Sequence, residues 1–105
     1  MAELDNQTKE KIKELQMFEQ NLNNLLMQKQ AFQLELTETE NALAEISKSK
    51  DDVFKVIGNI MIKSDKKKIE EELRKRKELI SLRVKSIENQ ETSLRKQSDD
   101  LKEEV

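Results

Sequence analysis

Neither histidine nor cysteine occurs among the 105 residues. The chain therefore lacks the commonest general base and metal ligand, and it has no thiolate to act as a nucleophile. Acid–base work would fall to Glu, Asp or Lys, and such a group needs a dry pocket to tune it. Carboxylate pairs such as Glu71–Glu72 fall instead on a solvated helix face. No ligand constellation for zinc is present, and Gly58, the single glycine, cannot make a Gly-rich phosphate loop. These absences exclude catalysis and predict a chain with no cofactor and no metal. One charged run could serve a ligand: Lys63 to Lys77 carries eight bases against four acids. Nucleic acid is the partner that run would suit, but no aromatic accompanies it for base stacking, and a charged helix face is commonly just solvated. Nucleic acid is accordingly not the expected partner.

Composition narrows the fold class. Charged residues make up 40% of the chain and apolar residues 34%, too few for an ordinary globular interior. Yet Leu, Ile, Val and Phe number 28 and the net charge is only −2, which argues against disorder. A mixture rich in Leu, Glu, Lys and Gln with no proline reads as long helices or coiled coil. No apolar run approaches the roughly 18 residues of a membrane span, and the acidic start Met1-Ala2-Glu3-Leu4-Asp5 is unlike a signal peptide. No membrane partner is expected, and a reducing cytosol suits a chain without cysteine.

The stretch from Val53 to Lys63 stands apart as the only one rich in β-branched residues. Apolar runs flank Gly58-Asn59, and a two-residue loop with glycine first signals a type II′ hairpin. That turn sets Ile57 opposite Ile60, Val56 opposite Met61 and Lys55 opposite Ile62. One face then carries Val53, Ile57, Ile60 and Ile62, and the other Phe54, Val56 and Met61. Both faces are apolar, and a lone two-stranded hairpin is marginal in water. The expectation is that Val53, Phe54, Val56, Ile57, Gly58, Ile60, Met61 and Ile62 join strands from other protomers. The alternative is a turn folded onto its own helices.

A helix is predicted on each side of the hairpin. Over about residues 5 to 48, Leu15, Leu22, Lys29, Leu36 and Leu43 form one seven-residue column, and Phe18, Leu25, Phe32, Thr39 and Ile46 form the other. Asp5 or Asn6 can cap the start, and Ser47 to Asp52 makes the exit. Such a helix is roughly 65 Å long and needs a partner for its stripe. Lys29 reads as a register-fixing interruption. Over about residues 65 to 104, with Ser64 or Asp65 as cap, Leu73, Ile80, Ile87, Leu94 and Leu101 recur. The second column is either Ile69, Arg76, Arg83, Gln90, Gln97 or Lys77, Val84, Glu91, Ser98, Val105. Chain reversal at the hairpin places Leu43 by Leu73, Leu36 by Ile80, Lys29 by Ile87, Leu22 by Leu94 and Leu15 by Leu101. It also places acidic Glu35, Glu38, Glu40 and Glu45 beside the basic run. Lys66, Lys67 and Lys68 oppose the dipole of the second helix and serve either that acidic stretch or a partner. The fold class is mainly α: a long antiparallel two-helix coiled coil with one β-hairpin between the helices, in a single domain over residues 1–105.

This arrangement resembles the prefoldin family, and within it the β-class subunits of archaeal type. Gln28-Lys29-Gln30, Gln33, Glu35, Leu36 and Ala42-Leu43-Ala44-Glu45-Ile46 resemble the first helix of the family. Val53 to Lys63 resembles its hairpin, and Ile69-Glu70-Glu71-Glu72-Leu73 resembles the start of the second helix. The resemblance implies an ATP-independent cytoplasmic chaperone subunit. It implies assembly with an α-class subunit and other β-class copies as an α2β4 hexamer, capture of unfolded clients at coiled-coil tips, and delivery to a group II chaperonin. The tip residues are then Leu4, Ile12, Leu15, Met17 and Phe18 from one helix and Leu94, Leu101 and Val105 from the other. Two rival readings remain: Leu15, Phe18 and Leu94 simply close the coiled coil, or the whole chain is a structural tether without chaperone activity.

Overall fold

Helix α1, Asn6–Lys48, begins where the sequence first offers a cap. In a computed structural model, which describes residues 5–50 and 52–104, Asp5 Oδ1 accepts the backbone N–H of Thr8 at 2.7 Å. This satisfies one of the donors that a helix start leaves without a partner. The same bond holds the Asp5 carboxyl below its ordinary value of 3.8. The cap therefore stabilises the helix above that value and is lost as pH falls through the lowered one. Asp65 performs the same task for α2, Lys66–Glu104. Its Oδ1 accepts the N–H of Lys67 at 3.2 Å. Of the caps the sequence offered, Asp5 and Asp65 are the ones that bond.

The exit of α1 is shorter than its polar composition suggests. The helix runs through Ser47 and Lys48. The Ser49 N–H is shared between the carbonyls of Glu45 and Ile46 at 3.1 Å each. Lys66 Nζ then donates to the Ser49 carbonyl at 2.9 Å. One of the three lysines that oppose the α2 dipole thus sits at the negative end of α1, where a cation is favoured. Lys67 and Lys68 form no ion pair among the described residues.

Strands β1, Val53–Ile57, and β2, Ile60–Ser64, pair antiparallel in the expected register: Ile57 with Ile60, Val56 with Met61 and Lys55 with Ile62. Gly58 has φ near +60°, and no other described residue has positive φ. Positive φ at the first loop residue alone is the type II′ signature, and its backbone twist matches that of the strands.

The helices pair within two units. In the unit of residues 1–31 and 84–105, Leu25 and Ile87 are buried among half-buried Leu15, Phe18, Leu22, Val84, Leu94 and Leu101. Ser98 is buried there and Glu91 half-buried. In the unit of residues 32–83, Ile80 is buried among half-buried Phe32, Leu36, Leu43, Ile46, Ile69 and Leu73. Thr39 is also buried, and its hydroxyl donates to the Glu35 carbonyl at 2.8 Å. That internal bond lets a polar residue occupy the seam without an unsatisfied donor. All ten columnar positions of α1 are withdrawn from full exposure. On α2 neither choice for the second column holds throughout: Val84, Glu91 and Ser98 turn inward but Lys77 stays exposed, and of the other set Ile69 is half-buried while Arg76, Arg83, Gln90 and Gln97 stay exposed.

Charge pairing across the helices is sparser than the sequence suggests. Arg76 bonds Glu35, its Nε donating at 3.2 Å. Glu38, Glu40 and Glu45 form no ion pair among the described residues, because their exposed positions keep them in water at little cost. The Arg83 guanidinium sits over the Phe32 ring, 5.7 Å from its centre.

A Cβ added at Gly58 meets no atom within 4 Å, so Gly58→Ala tests the backbone alone. The expected loss is about 1–2 kcal/mol from the left-handed conformation, with a smaller effect for Asn59→Ala. Urea unfolding midpoints check this, and a Gly58→Ala midpoint equal to that of the parent protein would rule out the turn.

Candidate functional site

The hairpin is the most exposed apolar feature. Side chains alternate across a strand, and cross-strand partners share a face. The register therefore gathers Val53, Lys55, Ile57, Ile60, Ile62 and Ser64 on one side and Phe54, Val56, Met61 and Lys63 on the other. Six apolar residues, Phe54, Val56, Ile57, Ile60, Met61 and Ile62, retain between 45% and 67% of their accessible surface. Val53 is half-buried. The sheet has two strands only, so each strand has an edge with no ladder partner among the described residues.

Ion pairs fix the base of this element rather than its tip. Lys55 Nζ lies 3.2 Å from Glu72 on α2, and Lys63 Nζ lies 3.4 Å from Asp52. Beside the hairpin is an open groove of about 440 Å³, lined by Ala42, Ile46, Val53, Phe54, Ile69 and Leu73. Burying each exposed side chain fully is worth roughly 1.5–3 kcal/mol, and less where exposure is partial. In the single chain these six side chains keep about half or more of their surface open to water, while Val53 is half-buried at the base.

The tip residues fall into three groups. Leu4 and Val105 lie outside the described residues. Ile12, Leu15, Phe18, Leu94 and Leu101 are half-buried, and Met17 is 62% exposed. Phe18 and Leu101 come together in a shallow cleft of about 240 Å³, rimmed by Glu14, Gln97, Asp100 and Glu104. Leu94 shares a second cleft with Leu25. Lys11 Nζ closes toward Glu104 at 3.5 Å. Leu15, Phe18, Leu94 and Leu101 are thus seam residues, and Met17 is the most exposed of the described tip residues.

Sequence reasoning missed one polar feature. Lys29 Nζ lies 3.7 Å from carboxylate oxygens of both Glu88 and Glu91. Lys29 was readable as a seam interruption, but its partner was not, because the second column of α2 stayed open between two choices. The helix-to-helix pairing could have found Glu88, since that residue adjoins the Ile87 expected opposite Lys29.

Among the described residues no group of three or more His, Cys, Asp or Glu could hold a metal, and no helix is long and apolar enough to cross a membrane. Comparison with known proteins agrees with the geometry. A family model described as prefoldin subunit matches residues 4–105. A prefoldin subunit beta of Saccharolobus islandicus is 37% identical over 108 residues, covering 100% of this chain and 86% of the relative. A prefoldin subunit beta of Pyrobaculum aerophilum is 36% identical over 107 residues, with 100% and 85% covered. The crystal structure of the prefoldin beta subunit from Thermococcus strain KS-1 superposes with a TM-score of 0.91 at 31% identity. It covers 99% of this chain and 93% of that one. Seam, hairpin and register thus agree with sequence and structural likeness along the whole chain, which belongs to the prefoldin subunit family of non-enzymatic chaperone components.

Proposed function

We propose that this chain is a subunit of an ATP-independent molecular chaperone that captures unfolded proteins at coiled-coil tips and delivers them to a group II chaperonin. Residues 1–105 act as one prefoldin-like domain. The chain assembles with an α-class subunit and further β-class copies, as an α2β4 hexamer, in the cytoplasm. The observation that carries the reading is the hairpin: two apolar faces and two unpaired edges in a chain of this family. Such an element is marginal in water by itself and gains stability when further strands or a helix cover it.

Capture follows from weak contacts repeated. Helix ends open most readily, and opening adds Ile12, Leu15, Phe18, Leu94 and Leu101 to the exposed Met17. Leu4 and Val105 belong to the same set by sequence position. One tip binds weakly, and several tips on one body raise avidity by roughly 10² to 10⁴. Methionine suits such a surface because its side chain adapts to irregular partners. A structural tether would share the helices and the assembly but would not suppress aggregation of a denatured protein.

Two variants separate assembly from capture. Val56→Glu with Met61→Glu puts charge on one hairpin face. The oligomer mass should fall while helical circular dichroism persists, and an unchanged mass would defeat the assembly role. Deleting residues 1–12 and 102–105 should abolish protection of unfolded protein and spare the oligomer. Light scattering of a denatured client reads the first effect and light-scattering mass the second; full protection by the shortened chain would remove the tips from the mechanism.

A further inference from the structure

We propose that, near the hairpin, the two helices carry opposite charge so that copies of this chain stand side by side in one sense only. The basic flank of α2 in one copy lies against the acidic flank of α1 in the next. The residues are Lys68 and Lys75 on α2 and Glu38 and Glu45 on α1, and the partner is a second copy of this chain. This contact rests on the assembly reading above and deepens it.

Residues 32–47 hold four acids and no base, whereas residues 66–77 hold seven bases and three acids. Both stretches belong to the unit of residues 32–83. Bonds from Lys66 to the Ser49 carbonyl and from Arg76 to Glu35 set them side by side. That proximity neutralises little of the charge. Among the described residues Arg76–Glu35 is the one ion pair between the two stretches. Glu38, Glu45, Lys68 and Lys75 are exposed and form none. The cause is angular. Lys75 follows seam residue Leu73 by two positions, which at about 100° per residue turns it to the far side of α2. Lys68 lies one heptad earlier on the same line. Glu38 and Glu45 each precede a seam residue, Thr39 and Ile46, by one position and are likewise turned out of the interface.

The two lines match in spacing and in height. In each, the charges are one heptad apart, about 10 Å along the helix axis. The Lys66–Ser49 and Arg76–Glu35 bonds bracket them, so Lys68 and Lys75 span the same length of the helix pair as Glu38 and Glu45. A neighbour joined through the exposed hairpin can therefore bring one line to the other with no shift along the helices. The opposite sense fails: α2 beside α2 sets lysine against lysine, and α1 beside α1 sets glutamate against glutamate. Exposed ion pairs add little affinity, which the apolar hairpin supplies instead. Charges of this kind choose which flank meets which. A contact between unlike flanks is head-to-tail, and it closes into a ring when the rotation between copies permits.

The test uses the full chain. Lys68→Glu/Lys75→Glu and Glu38→Lys/Glu45→Lys are followed by sedimentation at low salt and at about 0.5 M salt, where exposed charges are screened within roughly 4 Å. At low salt each variant should need a several-fold higher concentration to assemble than the parent protein, with helical circular dichroism unchanged. High salt should narrow the gap. An equimolar mixture of the two variants should assemble as readily as the parent, since each altered flank then finds its complement. The chain has no cysteine, so Lys75→Cys and Glu38→Cys chains can be mixed and treated with a short bismaleimide. They should cross-link to each other more than either does to itself. The contact is overturned by a charge variant that assembles like the parent at low salt, by a mixture no better than its components, or by cross-links mainly between like residues. Retention of the parent on RNA, lost in Lys68→Glu/Lys75→Glu with assembly unchanged, assigns these bases to nucleic acid and overturns it too. A parent protein that stays a monomer refutes the assembly reading and this contact with it. An oligomeric parent indifferent to charge reversal refutes the contact alone.

Discussion

The hairpin presents apolar surface on both sides, and the described residues of its own chain leave most of it open to water. Each helix has one inward stripe, and that stripe is already spent on the other helix. Phe54, Val56 and Met61 on one face, and Ile57, Ile60 and Ile62 on the other, therefore stay in water in the lone protomer. Burial is the dominant favourable term in association, and strand edges add directional pairing to it. Together these suit the hairpin to the connecting role proposed for it. Its position between the helices leaves the seam unoccupied.

The seam is built with equal economy. Only Leu25, Ile80 and Ile87 are buried apolar residues among those described. The remaining stripe is half-buried, as expected of two helices with no third layer behind them. Polar residues enter this narrow interface in two ways. Thr39 satisfies its hydroxyl within its own helix, whereas Lys29 and Glu91 meet across the seam with a gap. The first arrangement is nearly neutral, and the second loosens the contact.

Much of this was legible from the residues. The Gly58-Asn59 loop settled the strand register, because a two-residue loop leaves one pairing and glycine alone adopts its positive φ without strain. The α1 seam was equally plain, since eight of its ten positions are apolar. The α2 seam was not, because Arg76, Arg83 and Gln90 compete with Lys77, Val84 and Glu91 on nearly equal terms. Only contact with α1 decides between them. The fate of Lys66 was hidden for a related reason: its acceptor is a backbone carbonyl at Ser49, which side-chain patterns do not reveal. Tip residues were the least readable, since Leu15, Phe18, Leu94 and Leu101 have the same pattern whether they close a coil or open to a client.

So thin a seam also shapes the response to temperature. The heat-capacity increment of unfolding tracks newly hydrated apolar area, and polar area counts against it. Three buried apolar residues and a wealth of exposed charge leave that increment small per residue. The free-energy curve of the helical pairs is accordingly shallow, with weak curvature on either side of its maximum. Warming and cooling then erode the pairing gradually over a broad thermal range.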